Sequence, residues 1–89
     1  MDALAKATIL PAQLTEGGAS QMRTKGRLQI GADADITVFD PTTLIDRSTI
    51  EAPGVESEGV RYVLVDGQVV RTPQGNQTSV RPGIAIVRR

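Results

Sequence analysis

The chain has 89 residues, no cysteine and no histidine, and its ten Lys and Arg balance ten Asp and Glu. Without imidazole or thiol side chains it lacks the commonest general base, the commonest zinc, copper and iron ligands, and any thiolate nucleophile. Ser/His/Asp and Cys/His triads are therefore excluded within one chain. A net charge of zero provides no field toward nucleic acid or acidic membranes. We predict no catalytic, cofactor-binding or metal-ligating residue in this chain, and neither nucleic acid nor membrane as a partner.

Aliphatic residues carry the hydrophobic content of the chain. Hydrophobic residues make up 39% of the sequence, and Phe39 and Tyr62 are the only aromatic ones. The many β-branched side chains favour strands, because they lose little rotamer freedom on a pleated surface. The apolar runs are far shorter than the roughly 20 residues that span a bilayer, and the N-terminus lacks a signal-peptide pattern. We therefore expect a soluble, cytoplasmic protein.

Residues 2–15 have the spacing of an amphipathic helix. Asp2 can cap its start, and Pro11 cannot lie inside an uninterrupted helix without a cost of about 3 kcal/mol. We therefore predict a helix that ends near Thr8 and a short second turn opened by Pro11. The predicted apolar stripe consists of Leu4, Ala7, Leu10 and Leu14.

The periodicity changes to that of strands after a polar loop at residues 17–25. We divide the chain into a helical head at residues 1–22 and a strand-rich segment at residues 23–89. Residues 42–59 contain Pro53, Gly54 and Gly59 among polar residues, which predicts an irregular excursion with one helical turn near residues 46–51. Apolar patterning predicts strands at residues 27–30, 35–39, 60–65, 68–71 and 84–87.

Asp66 and Gly67 form the clearest turn signal in the chain. Asp-Gly between two apolar runs predicts a type I′ hairpin, in which both turn residues need positive φ. A two-residue loop would pair Leu64 with Val69 and Val63 with Val70. Since these pairs lie on opposite faces, we expect a hairpin that is apolar on both sides and packed between layers.

Asp33, Asp35 and Asp40 form the one acidic cluster with suggestive spacing. Carboxylates at alternate strand positions share a face and together can hold a hard cation. The preferred interpretation is that Asp33 and Asp35 accept backbone N–H groups in the turn after Gly31, and that Asp40 does so before Pro41. The sequence therefore favours turn-stabilising carboxylates over a metal site.

Basic residues occur in two groups that raise the alternative of an oligonucleotide-binding barrel. Recognition of single strands needs exposed rings on which bases stack, and Tyr62 and Phe39 lie in patterns that predict burial. We therefore interpret the basic side chains as solvated. The two groups are Arg23, Lys25 and Arg27, and Arg81, Arg88 and Arg89.

Residues 25–41 read Lys-Gly-Arg-Leu-Gln-Ile-Gly-Ala-Asp-Ala-Asp-Ile-Thr-Val-Phe-Asp-Pro. This run resembles the C-terminal region of metal-dependent amidohydrolases, where a Lys-Gly-x-Ile-x-x-Gly-x-x-Ala-Asp-Leu-Val segment returns the chain from the catalytic barrel to a small β-sandwich. Residues 8–14 resemble the element that closes the last barrel helix. Three further motifs are similar to the tail of the N-acyl-D-amino-acid deacylase (D-aminoacylase) branch, at residues 46–49, 59–67 and 81–83.

The resemblance implies a mainly β fold: a partial β-sandwich, the composite domain of amidohydrolases, with an N-terminal helical segment from the end of the barrel. It implies a non-catalytic C-terminal part of a hydrolase that acts on C–N bonds other than peptide bonds. The parent enzyme would use zinc or another divalent metal. The family's metal-binding histidines and aspartate lie upstream of this region, so no position here corresponds to one of them. The apolar stripe would then be buried against the barrel.

A free-standing β-sandwich that acts as a binding or assembly module is the alternative. A self-sufficient module should bury its own helical stripe, whereas part of a larger enzyme should expose it or bury it by pairing with another copy. A small chain without disulfides usually needs efficient packing, a metal or a partner for stability, and no metal-ligand set is evident in the sequence. Unpaired strand edges and an exposed helix therefore predict a homo-oligomer.

Overall fold

A computed structural model describes residues 1–87 as two short helices, a 3₁₀ helix and one antiparallel sheet. The sheet has four strands in the order β1-β2-β3-β4, each paired with its neighbour in sequence. The predicted mainly β fold with a helical N-terminus is confirmed, with a single sheet within these residues. The elements are α1 (Asp2–Ala7), α2 (Ile9–Thr15), the 3₁₀ helix (Ser20–Thr24), β1 (Ile36–Phe39), β2 (Val60–Val65), β3 (Gln68–Thr72) and β4 (Gly75–Asn76).

The helical head is broken at Thr8, as predicted. Thr8 has φ −128° and ψ −87°, which separates α1 from α2. Pro11 lies in the first turn of α2; it lacks an N–H and its ring would clash with the carbonyl four residues earlier, so one continuous helix cannot form. The prediction that Asp2 caps α1 is wrong: Met1 occupies the N-cap without a side-chain hydrogen bond, and Asp2 is already helical.

The predicted hairpin is present and has a bulge. Asp66 and Gly67 have φ of 50° and 76°, as a type I′ turn requires. Leu64 pairs with Val69 as predicted, but the predicted pair of Val63 with Val70 is wrong because Val63 opposes Arg71. The register shift makes Val70 an extra residue on β3, which is the definition of a β-bulge.

Two predicted strands do not form because the described residues provide them with no partner strand. At residues 27–30 no strand is formed, and Leu28 and Ile30 are 86% and 103% exposed. Residues 84–87 are also irregular, and their neighbour is a side chain rather than a strand. The Gln21 amide donates to the Ala85 carbonyl at 3.3 Å and accepts the Val87 N–H at 2.9 Å.

The predicted excursion at residues 42–59 is irregular, but its helical turn near residues 46–51 is absent. The Asp46 carboxylate accepts the Ser48 N–H at 2.8 Å and the Ser48 hydroxyl at 2.7 Å. Such a local side-chain bond offers the backbone an alternative to helix, which explains the difference. The excursion is closed by a single bridge between Ile45 and Glu58.

The described residues contain almost no core. Ala12, at 1% exposure, is the one residue of the described chain that is buried. The chain exposes 6929 Å², whereas a folded monomer of 9.4 kDa exposes about 5,000 Å². Its radius of gyration is 14.6 Å, against about 12 Å for a compact domain of this length. No helix packs against a strand among these residues, so head and sheet do not share a hydrophobic interior.

One face of the sheet is apolar across β1, β2 and the start of β3, and we call it the apolar sheet face. It follows from the register, because directly opposed residues lie on the same side. Val38, Tyr62 and Val69 on this face are 44%, 41% and 39% exposed, so the prediction that Tyr62 is buried is wrong. The members of the face are Ile36, Val38, Tyr62, Leu64 and Val69. No helix within residues 1–87 combines the length and hydropathy needed to cross a membrane.

Candidate functional site

Lys25 occupies the junction between the helical head and the sheet. It follows the 3₁₀ helix directly, and Gly26 after it has φ 69°. A Cβ at Gly26 would collide with the Thr8 carbonyl, so only glycine allows the loop to approach the break between α1 and α2 this closely. The backbone therefore fixes where the Lys25 side chain begins.

The Lys25 ammonium bridges two carboxylates. Its Nζ lies 2.8 Å from Asp33 Oδ2 and 2.6 Å from Asp35 Oδ2. The other oxygen of Asp35 accepts the Asp66 N–H at 2.9 Å, and the Gly67 N–H donates to the Ala34 carbonyl at 2.9 Å. We call this group, Lys25, Asp33, Asp35 and the Asp66 backbone, the lysine clamp. It ties the head, the entry to β1 and the hairpin turn together at one point.

The lysine clamp stabilises the charged forms of its members. The hydrogen bond to Asp33 raises the pKa of Lys25 most, and the hydrogen bond to Asp35 raises it further. The hydrogen bond from Lys25 lowers the pKa of Asp33, and the same bond together with the Asp66 N–H lowers the pKa of Asp35. The three side chains are about one quarter to one third exposed, so solvent screens the ion pairs in part.

The alternative of a cation site at these aspartates does not fit the geometry. Lys25 Nζ occupies the position between Asp33 and Asp35 that a cation would take. Asp40 lies beyond the far end of β1 and does not join them. Within residues 1–87 no group of three or more His, Cys, Asp or Glu side chains is arranged to hold a metal ion. The residues described therefore do not fit the divalent metal that the sequence resemblance implies for the parent.

The turn-stabilising role predicted for the aspartates is confirmed for Asp40 and differs for the other two. Asp40 Oδ1 accepts the Thr42 N–H at 2.9 Å and the Thr42 hydroxyl at 2.6 Å, and these bonds lower the pKa of Asp40. Asp35 also accepts a backbone N–H, but it comes from the hairpin turn at Asp66 and not from the turn after Gly31. Asp33 is held by Lys25 instead.

The basic residues of the two predicted groups differ in their surroundings. Arg23 and Arg81 are exposed, whereas Arg27 is half-buried, donates to the Lys25 carbonyl at 2.9 Å and lies 3.7 Å from Glu16. The prediction that Lys25 and Arg27 are simply solvated is therefore wrong. The other two members, Arg88 and Arg89, lie outside the described residues.

A second polar network was not predicted from the sequence. Arg71 Nη1 lies 2.9 Å from Glu56 Oε2 and 2.6 Å from Asn76 Oδ1, and Asn76 Nδ2 donates to Glu56 Oε1 at 3.1 Å. These contacts hold Glu56 of the excursion beside Arg71 and Asn76, on the sheet face opposite the apolar one. No spacing rule connects residues 56, 71 and 76, because the network depends on the bulge and on β4.

Residues 1–71 match the model of the amidohydrolase family. The chain belongs to this family, and within it to the D-aminoacylase branch, as the sequence motifs predict.

Two curated relatives and one solved structure support the assignment to this branch. The chain is 45% identical over 87 residues to an N-acyl-D-glutamate deacylase of Alcaligenes xylosoxydans xylosoxydans, covering 98% of this chain and 16% of that protein. It is 44% identical over 46 residues to a D-aminoacylase of the same organism, covering 52% of this chain and 10% of the relative. The crystal structure of a D-aminoacylase, described as defining a novel subset of amidohydrolases, superposes with a TM-score of 0.65 at 34% identity. That match covers 73% of this chain and 14% of the solved one. The chain thus spans about one sixth or less of the length of these relatives.

Proposed function

We propose that this chain is a non-catalytic structural part of an amidohydrolase and completes the small β-sandwich, the composite domain, beside the catalytic barrel. The observation that carries this proposal is the missing core: Ala12 alone is buried among the described residues. Burying apolar surface is the main favourable term in folding. A chain that buries so little by itself must gain its stability from surrounding structure.

The helical stripe supports the same role. Leu4 and Leu10 are 43% and 44% exposed, and Leu14 is 86% exposed. A free-standing sandwich module, the alternative, should cover these side chains with its own sheet, yet within residues 1–87 no strand packs against either helix. In the intact enzyme this stripe packs against the barrel.

The sheet supports the proposal that a second layer of the enzyme packs against it. Its apolar sheet face is partly exposed at Val38, Tyr62 and Val69, and stacked sheets bury such faces about 10 Å apart. Residues 27–30 and 84–87 have strand-like sequences without a strand partner. The remainder of the enzyme provides the second layer and the missing strands.

The names of the relatives support a proposal for the chemistry of the intact enzyme. One relative is named for deacylation of N-acyl-D-glutamate, and we propose that the parent of this chain hydrolyses the amide of an N-acyl-D-amino acid. A divalent metal such as zinc would activate the attacking water. Its ligands would lie outside these 89 residues, which contain neither His nor Cys. The contribution of this chain is to complete the fold that supports that site.

A chimeric enzyme tests the proposal. This chain replaces the matching segment of the N-acyl-D-glutamate deacylase, to which it is 45% identical, and hydrolysis of N-acyl-D-glutamate is measured. We expect a soluble chimera whose kcat/KM lies within about tenfold of the parent value, a difference of about 1.4 kcal/mol.

Two controls accompany the chimera. The same deacylase with the segment deleted should be insoluble or inactive, and the 89-residue chain with added zinc should show no turnover. Full activity of the deletion variant would contradict the structural role. Turnover by this chain alone, abolished by a chelator, would contradict the absence of catalytic residues.

A further inference from the structure

The segment at residues 82–87, which we call the strap, is hydrogen-bonded to one side chain among the described residues. Gln21 of the 3₁₀ helix binds it twice: its Nε2 donates to the Ala85 carbonyl at 3.3 Å, and its Oε1 accepts the Val87 N–H at 2.9 Å. A carbonyl and an N–H two residues apart are the pair that one residue of a neighbouring parallel strand would bind. The Gln21 amide therefore takes the place of a neighbouring strand for the strap.

The strap passes beside the lysine clamp. Pro82 and Ile84 of the strap line a cavity whose other walls include Lys25 and Asp35 of the clamp, and Gln21 lines the same cavity. The side chains of the clamp are only about one quarter to one third exposed, so neighbouring groups cover part of their surface. The strap is one of these neighbours, and its position therefore affects how far solvent reaches the clamp.

Few other contacts hold the strap in place. Ile84, Ile86 and Val87 are 74%, 48% and 44% exposed, and within residues 1–87 no strand pairs with the strap. Segments with few buried apolar contacts and solvent-exposed backbone hydrogen bonds open locally at a low cost in free energy. The two hydrogen bonds of Gln21 therefore determine how often the strap opens.

We infer that the strap is a lid beside the lysine clamp and that Gln21 is its latch. With both Gln21 hydrogen bonds formed, the strap makes one wall of the cavity at Lys25. When these bonds break, the strap moves away and solvent reaches the Lys25 ammonium. Gln21 is a positioning residue that binds only the backbone of the strap. The inference concerns contacts within this chain and does not depend on the reaction of the intact enzyme.

Amide hydrogen exchange of Val87 tests the latch. Gln21→Ala should raise the exchange rate of the Val87 N–H by about fivefold or more, because both hydrogen bonds to the strap are lost. Gln13→Ala, at an exposed glutamine of α2, is the control and should change this rate by less than about twofold. The Gly67 N–H, which donates to the Ala34 carbonyl, reports a folded hairpin and should keep its rate in both variants. An unchanged Val87 rate in Gln21→Ala would overturn the inference.

The reactivity of Lys25 tests the lid. Lys6 and Lys25 are the only lysines of the chain, so acylation by an active ester can be compared at both positions by mass spectrometry. Gln21→Ala should raise the rate at Lys25 relative to Lys6 by about threefold or more.

A second variant is needed because Gln21 itself lines the cavity. Val87→Pro removes the N–H that the Gln21 Oε1 accepts and leaves the Gln21 side chain in place, so it should raise the Lys25 rate by about twofold or more. A rate that rises in Gln21→Ala alone, or in neither variant, would overturn the lid. The full 89-residue chain is used for both measurements, or the chimeric deacylase if the Gly67 N–H of the chain exchanges as fast as in a peptide. Hydrolysis of N-acyl-D-glutamate by the chimera is read separately, so failure of the lid and failure of the structural role are distinguishable.

Discussion

The β2–β3 hairpin and the junction between head and sheet are built in different ways. The hairpin is held by backbone pairing and by a turn whose residues, Asp66 and Gly67, both have positive φ. Among the described residues the junction has no packed contact between a helix and a strand. It consists of the lysine clamp and of Gly26, whose backbone lies against the helix break at Thr8. Local turn chemistry thus forms the first region, whereas the second depends on charges brought together by the fold.

The largest expected effect is at the glycine of the junction. Gly26→Ala adds a methyl group that meets the Thr8 backbone at a residue with φ 69°. Gly31 has φ 87° with nothing within 4 Å of its ideal Cβ, so Gly31→Ala is a matched control that adds backbone strain without a collision. In urea unfolding of the chimeric deacylase, where surrounding structure stabilises this segment, we expect a loss of about 3 kcal/mol for Gly26→Ala and about 1 kcal/mol for Gly31→Ala. Equal losses would show that the close approach at the junction does not contribute to stability.

A smaller effect is expected at the lysine clamp. Lys25→Met leaves two carboxylates facing each other without a cation, at a cost of about 1 kcal/mol after allowance for their partial exposure. Lys6→Met is the control, because Lys6 is exposed on α1 and forms no ion pair with a described residue. It should change the free energy of unfolding by less than about 0.3 kcal/mol.

The pH dependence of the stability of Lys25→Met tests whether the lost charge causes its loss of stability. Asp33 and Asp35 have lowered pKa values, so their contribution is complete above their unfolded pKa of about 4 and is lost as the pH falls through the folded values. Lys25 has a raised pKa, so its contribution is complete below its unfolded pKa of about 10.4 and is lost as the pH rises through the folded value. Lys25→Met should therefore flatten both limbs of the stability profile relative to Lys6→Met. If both limbs of the stability profile are unchanged in Lys25→Met, its loss of stability comes from lost packing of the lysine side chain and not from lost charge.

Local signals in the sequence predicted the parts of the fold that local chemistry determines. Pro11 predicted the helix break, Asp66 and Gly67 predicted the hairpin turn, and the apolar run before Asp40 predicted β1. The bulge at Val70 could not be predicted, because it adds one residue without changing the apolar pattern. The strands at residues 27–30 and 84–87 were wrongly predicted within this chain because a strand also requires a partner, which sequence periodicity does not provide.

The candidate site was predicted in part. The sequence singled out Asp33 and Asp35 and favoured a structural role over a metal site, but it assigned Lys25 to a solvated basic group. The ion pairs exist because the loop at Gly26 turns the lysine back toward the start of β1. That turn depends on a contact with Thr8, 18 residues earlier in the chain, and no spacing rule connects the two positions.

The most direct test of the structural role is the accessibility of the helical stripe. Leu14 is 86% exposed in this chain, which contains no cysteine, so Leu14→Cys introduces a single thiol whose alkylation rate can be followed by mass spectrometry. If this chain is a part of an amidohydrolase, the thiol should react as fast as a model peptide in the isolated chain and more than about tenfold slower in the chimeric deacylase. Cysteine at the exposed position of Lys6, off the stripe, should react at similar rates in both. Equal labelling of Leu14→Cys in the isolated chain and in the chimera would contradict the account, since the stripe would then remain uncovered in the intact enzyme.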